Sequence, residues 1–339
     1  MSSITWHTED ILSTELKNQF HFSFDKSFSD VFAKLNNAKF ELGQFEFEKT
    51  QFYVPCLFRE GKLLTSLQLL YVPSREDHPK LDKTLEKAML DHFVNLLKKE
   101  QRVDRILQPM HWSVFQAAPA GSIDAPFGSY QIDLSLNEEE IWKGLHSKHR
   151  NVIRNAEKKD AIIIDGPAAI SRFYELYKDT MQRNNMFLEP LSYFEDLRDS
   201  GISYYCGVVS VSDHDMGAVF IPYTKQGGYY VFGGSEARIT LTGAMNYLHY
   251  KAILNLREKG VKVYDFVGAR LSDVSGTKLD GIQKFKKRFG GELKEGLLWK
   301  MDLNKTKCKM YDLALKTKLK LKGSKPLQDI IDQERAKFG

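Results

Sequence analysis

The chain has 339 residues, 42% hydrophobic and 27% charged, which excludes a disordered or fibrous chain and fits a globular protein with about two cores. Lysine and arginine number 49 against 44 acidic residues; the net charge of +5 permits an anionic partner without demanding one. No stretch reaches the ~18 apolar residues of a membrane-spanning helix, and the start MSSITWHTEDIL does not read as a signal peptide, so a cytoplasmic location is expected. Cys56, Cys206 and Cys308 are far apart and give neither a metal-ligand spacing nor a disulfide framework.

In chain order, a short helix is predicted over 8–17 and another over 27–36. Strands over 51–60 and 62–73 flank the turn at Gly61-Lys62. Helical spacing of Leu85, Ala88, Met89, His92, Phe93 and Leu96 predicts a helix over 81–100, followed by a strand over 102–108. The segment AAPAGSIDAPFG, 117–128, reads as a linker or domain crossing. A strand over 130–134 leads to Asn137, an N-cap followed by three glutamates, and a helix predicted to run to about residue 159. Then come a strand over 161–165, helices over 168–184 and 191–199, and an antiparallel meander over 203–211, 216–224 and 228–234. A helix over 244–259 ends at Gly260, with a strand over 261–267, a short helix near 282–288, a strand over 292–302, and terminal helices over 305–322 and 326–337.

The second half resembles the GNAT acyltransferase fold in this order of elements. The first half resembles a shorter, degenerate copy of it. The expected class is α/β with mixed sheets: two GNAT-like domains, 1–128 and 129–304, and a helical tail, 305–339.

The most informative stretch is YDFVGAR (264–270) followed by FKKRFGG (285–291). It sets Lys286 where a strand gives way to a short helix, a position from which a fixed positive charge stabilises an oxyanion or grips a phosphate. Asp265 ends the strand; it either receives a proton from an attacking amine or caps the loop and pairs with Arg270 or Arg238. An acyl-coenzyme A loop needs glycines in a Q/R-x-x-G-x-G/A pattern entering the helix after the meander. Reading from Arg238, those positions hold Leu241 and Gly243, so coenzyme A is the less expected donor. Basic residues including Arg150, Arg154 and Lys158 share the helix over 137–159; they suit a nucleic-acid backbone, or simply a solvated face opposite Ile141, Leu145, Val152 and Ala156. The run Lys316, Lys318, Lys320, Lys322 and Lys325 has the same two readings. His146 and His149 lack further ligands, so no metal is expected.

SKHRNVIRNAEKK (147–159), TMQRNN (180–185), VFGGSEAR (231–238), AMNYLHYKAI (244–253), YDFVGAR and FKKRFGGEL together resemble the Fem aminoacyltransferases, which build peptidoglycan interpeptide bridges. The resemblance implies transfer of an amino acid from aminoacyl-tRNA to an amine of a nucleotide- or lipid-linked muropeptide, or of another envelope precursor, without metal or cofactor. It puts Lys286 at the reacting centre, supported by Phe285. It gives Arg183 to the precursor's phosphates and Tyr230 and Phe232 to the acceptor channel, with Arg238 a further substrate-binding candidate. The long coiled-coil arm of some members is absent, since Asp165 to Ala168 leads straight into the next helix. Peripheral membrane contact stays open. The alternatives are an acyl-coenzyme A-dependent N-acyltransferase acting on amino sugars of a surface polysaccharide, and a binding module that kept the fold without the chemistry.

Overall fold

The structure is a computed structural model that describes residues 3–76, 81–238, 240–323 and 328–337. Lys325 and the start of the last expected helix at Pro326 lie outside the described residues.

The first half runs β1 (Thr5–His7), α1 (Thr14–Gln19), α2 (Lys26–Leu35), β2 (Lys39–Phe47), β3 (Thr50–Glu60), β4 (Thr65–Leu69), β5 (Ser74–Arg75), α3 (Lys83–Glu100) and β6 (Arg105–Leu107). The second half begins with β7 (Ile123–Asp133), α4 (Glu138–Gly144), α5 (Ser147–Lys158), β8 (Ile162–Asp165), α6 (Ile170–Arg183) and α7 (Leu191–Asp199). It continues with β9 (Tyr204–Val211), β10 (His214–Pro222), β11 (Gly228–Tyr229), β12 (Phe232–Ser235), α8 (Ala244–Glu258), β13 (Val263–Asp265) and β14 (Ala269–Arg270). Helix α9 (Lys278–Lys287), β15 (Glu292–Asp302), α10 (Lys305–Leu321) and α11 (Ile330–Arg335) complete it.

One mixed sheet follows the order β1-β2-β3-β4-β6-β15-β7-β13-β11, with β5 on β3 and β14 on β7; a second, antiparallel sheet is β12-β10-β9-β8. Each half contains a parallel strand pair joined through a helix: β4 and β6 through α3, and β11 and β13 through α8. Strand β15 is the seam. Residues 292–300 pair with β7, and Met301 and Asp302 pair with β6. An aromatic core is also shared: Phe20, Phe22 and Phe28 of the first half cluster with Phe173, Tyr177 and Phe194 of the second.

Several expectations change. The N-terminal helix over 8–17 shortens to α1, which starts only at Thr14, and a strand, β1, precedes it. Strand β2 had no counterpart in the sequence reading, because its apolar residues do not keep to one face. Phe40 and Leu42 enter one core, Phe45 and Phe47 the other. The presumed linker is a loop only over 117–122. From Ile123 onward it is β7, with Ala125 and Phe127 buried against the β15 side. The predicted helix over 137–159 is two helices, since Leu145 and His146 are extended. Asn137 does cap the first of them, in a reciprocal box with Glu140. Ile153 and His149, more than Val152, form the buried side of the second.

The meander's last strand also divides. Gly228-Tyr229 joins the large sheet beside β13, and residues 232–235 join β10 in the small sheet. The two sheets diverge at Tyr230-Val231, and α8 returns from β12 to β13 beside that opening.

Candidate active site

The site is built on the segment that leaves β13. Val267 has φ +51° and Gly268 φ +71°. A β-branched residue in the left-handed region costs about 1–3 kcal/mol, so surrounding contacts must hold it there. Asp265 supplies them: its carboxylate accepts from the Val267 amide at 2.6 Å, from Gln131 Nε2 at 2.7 Å and from the Ser129 hydroxyl. The turn points two carbonyls at Lys286. Its Nζ donates to the Val267 carbonyl and, at 2.7 Å, to the Gly268 carbonyl.

Lys286 lies on α9 and is only 8% exposed. Burial pulls its pKa down to about 8 against the opposing pull of Asp265. Asp265 is itself buried, and burial raises its pKa against its hydrogen bonds and the nearby lysine. An ammonium with two of its three protons committed to carbonyls keeps one donor for an oxyanion.

Aromatic and imidazole groups close around this pair. His249 of α8 is fully buried, shares a 2.7 Å hydrogen bond between Nδ1 and the Tyr264 hydroxyl, and has no partner at Nε2 among the described residues. Burial, and then the charges of Lys286 and His149, lower its pKa to about 3, so it is a neutral ring. Tyr230 stands edge-on to it at 4.5 Å and Phe285 at 5.4 Å. His111, from the segment after β6, has its pKa lowered to about 4 by burial and by Lys286, which ties the first half to the same centre.

On the other side of Asp265 lies a cavity of about 300 Å³ between the halves. Tyr71, Trp112 and Glu86 line it from the first half, Gln131, Tyr229 and Asp265 from the second. Burial raises the pKa of both the Tyr71 and the Tyr229 hydroxyl there.

Lys286, Asp265, Phe285 and Tyr230 therefore converge. The other sequence candidates stand elsewhere. Arg183 is exposed at the end of α6, donates to the Ser235 carbonyl at 2.9 Å and borders an open depression with Arg238, Glu236 and Asp179. The adjoining Asn184 accepts from Lys278 at the start of α9, eight residues or about 12 Å of helix before Lys286. Phe232 does not line a channel: it is 7% exposed and packs on Tyr177, Tyr193 and Phe194. Arg150 is committed to the carbonyls that end α4, including Lys143 at 3.0 Å. Arg154 lies over the Trp142 ring, and only Lys158 of that trio is a free-standing exposed side chain. Asp265 pairs with neither Arg270 nor Arg238. Arg270 binds Glu334 of α11 instead, across a bond 3.0 Å long.

His249, His111, Ser129, Gln131 and Tyr71 escaped the sequence reading. A histidine at a buried helix position was the one available signal, and it is the same signal that an ordinary core histidine gives.

Residues 146–287 match the family model described as an acetyltransferase (GNAT) domain. No curated protein matches the chain. The crystal structure of FemX superposes with TM-score 0.62 at 14% identity, over 84% of this chain and 92% of that one. The C-terminal domain of a protein assigned as a lysylphosphatidylglycerol synthetase from Agrobacterium fabrum superposes with TM-score 0.53 at 12% identity, over 89% of this chain and 95% of that one. The chain thus carries an acyltransferase domain of the GNAT type within a FemX-like fold, and the Lys286 centre lies where that domain's sheets part.

Proposed function

We propose that the protein transfers an aminoacyl group from aminoacyl-tRNA to an amine of a cell-wall or other envelope precursor, in the cytoplasm. The observation that carries this reading is the buried Lys286 ammonium, aimed by two main-chain carbonyls and backed by a buried carboxylate beside a cavity. The shared fold with FemX supports the donor class.

The chemistry asks little beyond this set. The tRNA ester is already activated, so alignment of amine and carbonyl supplies on the order of 7–11 kcal/mol. The amine nitrogen bonds to the ester carbon, and the remaining N–H of Lys286 stabilises the oxyanion. Asp265, whose raised pKa favours proton uptake, takes the amine's proton. Collapse of the tetrahedral intermediate breaks the bond to the ribose oxygen, which leaves with the proton that Asp265 took from the amine. In this reading Arg183 and Arg238, which border one open depression, hold the precursor's phosphates. Purified protein, charged tRNA and amine-bearing muropeptides test this directly. Transfer is expected, and full activity in Lys286→Ala would remove the lysine's role.

The second reading, an acyl-coenzyme A donor with an amino-sugar acceptor, draws on the GNAT family match. The start of α8 argues against it. Gly243 has φ +97°, and a Cβ there would stand 2.3 Å from the Val152 carbonyl oxygen, so α5 crowds the helix end that would cradle a pyrophosphate. Calorimetry with acetyl-coenzyme A separates the two; tight binding would favour the second.

A further inference from the structure

Helix α10 has two apolar sides. Its inner side is tied to the body: Cys308 is buried and Asp312 pairs with Arg105 at 2.8 Å, while Lys307, on the same flank as Lys318, reaches round to Asp104 at 3.1 Å. At about 3.6 residues per turn, Met310, Leu313, Ala314 and Leu321 form a stripe on the opposite side. That stripe faces solvent: Met310 is 68% exposed, Leu313 69% and Leu321 84%. Lysines border it on both flanks, Lys318 on one and Lys309, Lys316 and Lys320 on the other, and all four are exposed.

We propose that α10 is a docking helix that lies on an anionic membrane surface, with the Met310–Leu313–Leu321 stripe in the acyl boundary and the flanking lysines on lipid phosphates. An outward apolar stripe between cationic borders is the pattern of an interfacial helix. The charge decides among occupants. A polynucleotide would use the lysines and leave three large apolar side chains in water. A second copy packed through the stripe would bring lysine rows against lysine rows. Of these three occupants, the anionic lipid surface is the one that satisfies both features. The surface is separate from the Lys286 centre, and its test reads binding rather than transfer.

The full chain is mixed with phosphatidylcholine vesicles, with and without phosphatidylglycerol, at low and high salt, and separated by flotation. Binding is expected only with phosphatidylglycerol and is expected to weaken with salt. Leu313→Glu combined with Leu321→Glu is expected to lower vesicle affinity about tenfold or more, as is Lys316→Glu combined with Lys320→Glu. These positions are exposed, so circular dichroism of both variants should match the parent. A fluorophore on Leu321→Cys, with the three native cysteines buried, is expected to brighten and shift to the blue on phosphatidylglycerol vesicles. Absence of vesicle binding by the parent overturns the proposal. So does unchanged vesicle binding by the Leu313/Leu321 variant, which would reduce the surface to a polyanion site. A dimer that the same variant converts to monomer would assign the stripe to a second copy and equally overturn it.

Discussion

Lys286 is the residue on which most of the chemistry turns, and its protonation can be tested two ways. If the ammonium is the working form, transfer should fall as pH rises through about 8, where the folded lysine loses its proton. Lys286→Ala should lower kcat by about 10²–10³-fold, the usual effect of losing one oxyanion donor. Lys286→Arg, which stays charged, should move the alkaline fall upward if any activity survives; a pH–rate profile of each variant reads this. Stability gives an independent check. The lysine's pKa is about 8 in the fold against an ordinary value of 10.5, so between those pH values the unfolded chain binds more protons. Stability then rises with pH across that window, by about 3 kcal/mol in all. Urea unfolding should show the parent gaining on Lys286→Met from pH 8 to above 10; a constant difference would contradict the buried charge.

At the scale of elements, the reacting centre depends on two packed junctions. Helix α8 starts at Gly243, which combines a left-handed backbone with contact against α5. Gly243→Ala is expected to cost about 1–3 kcal/mol through strain, and more through displacement of α5. Denaturant unfolding would measure that cost, and an unchanged midpoint would sink the packing account. The second junction is α11. Its Glu334 is wholly buried and binds Arg270, which follows the Val267-Gly268 turn by two residues. Glu334→Ala leaves Arg270, itself only 15% exposed, without its carboxylate, and breaking such a pair typically costs about 3–5 kcal/mol. Because the loss falls beside the turn that aims Lys286, kcat is expected to fall in the fraction of protein that remains folded. A stability loss with normal kcat would show that the tail only adds stability.

At the scale of the whole molecule, β15 binds β6 at one end and β7 along the rest, and the aromatic cluster crosses the same boundary. The two halves are therefore expected to melt in one cooperative transition, with calorimetric and van't Hoff enthalpies in agreement. Two resolved peaks would show that the seam is weaker than its pairing implies.

The sequence by itself determined the order of most second-half elements and the cap at Asn137, and it singled out Lys286; the structure moves that lysine from a strand-helix junction to the last turn of α9, packed against the turn after β13. The order and the cap are local features: helical spacing, a capping residue and a strand end are written over a few neighbouring positions. The sequence also brought out Asp265 and Phe285, since both adjoin the same motifs. Only the tertiary structure decided the rest. Strand β2 was hidden because it is buried on both faces, so no alternation marks it. Arg150 looked functional by its basic neighbours and Phe232 by the resemblance, yet their partners, the α4 carbonyls and the aromatic core, lie on other elements. The burial that lowers the Lys286 pKa, the carbonyls that aim it and the histidines around it come from four separate segments, and a pKa depends on what is near in space rather than in sequence.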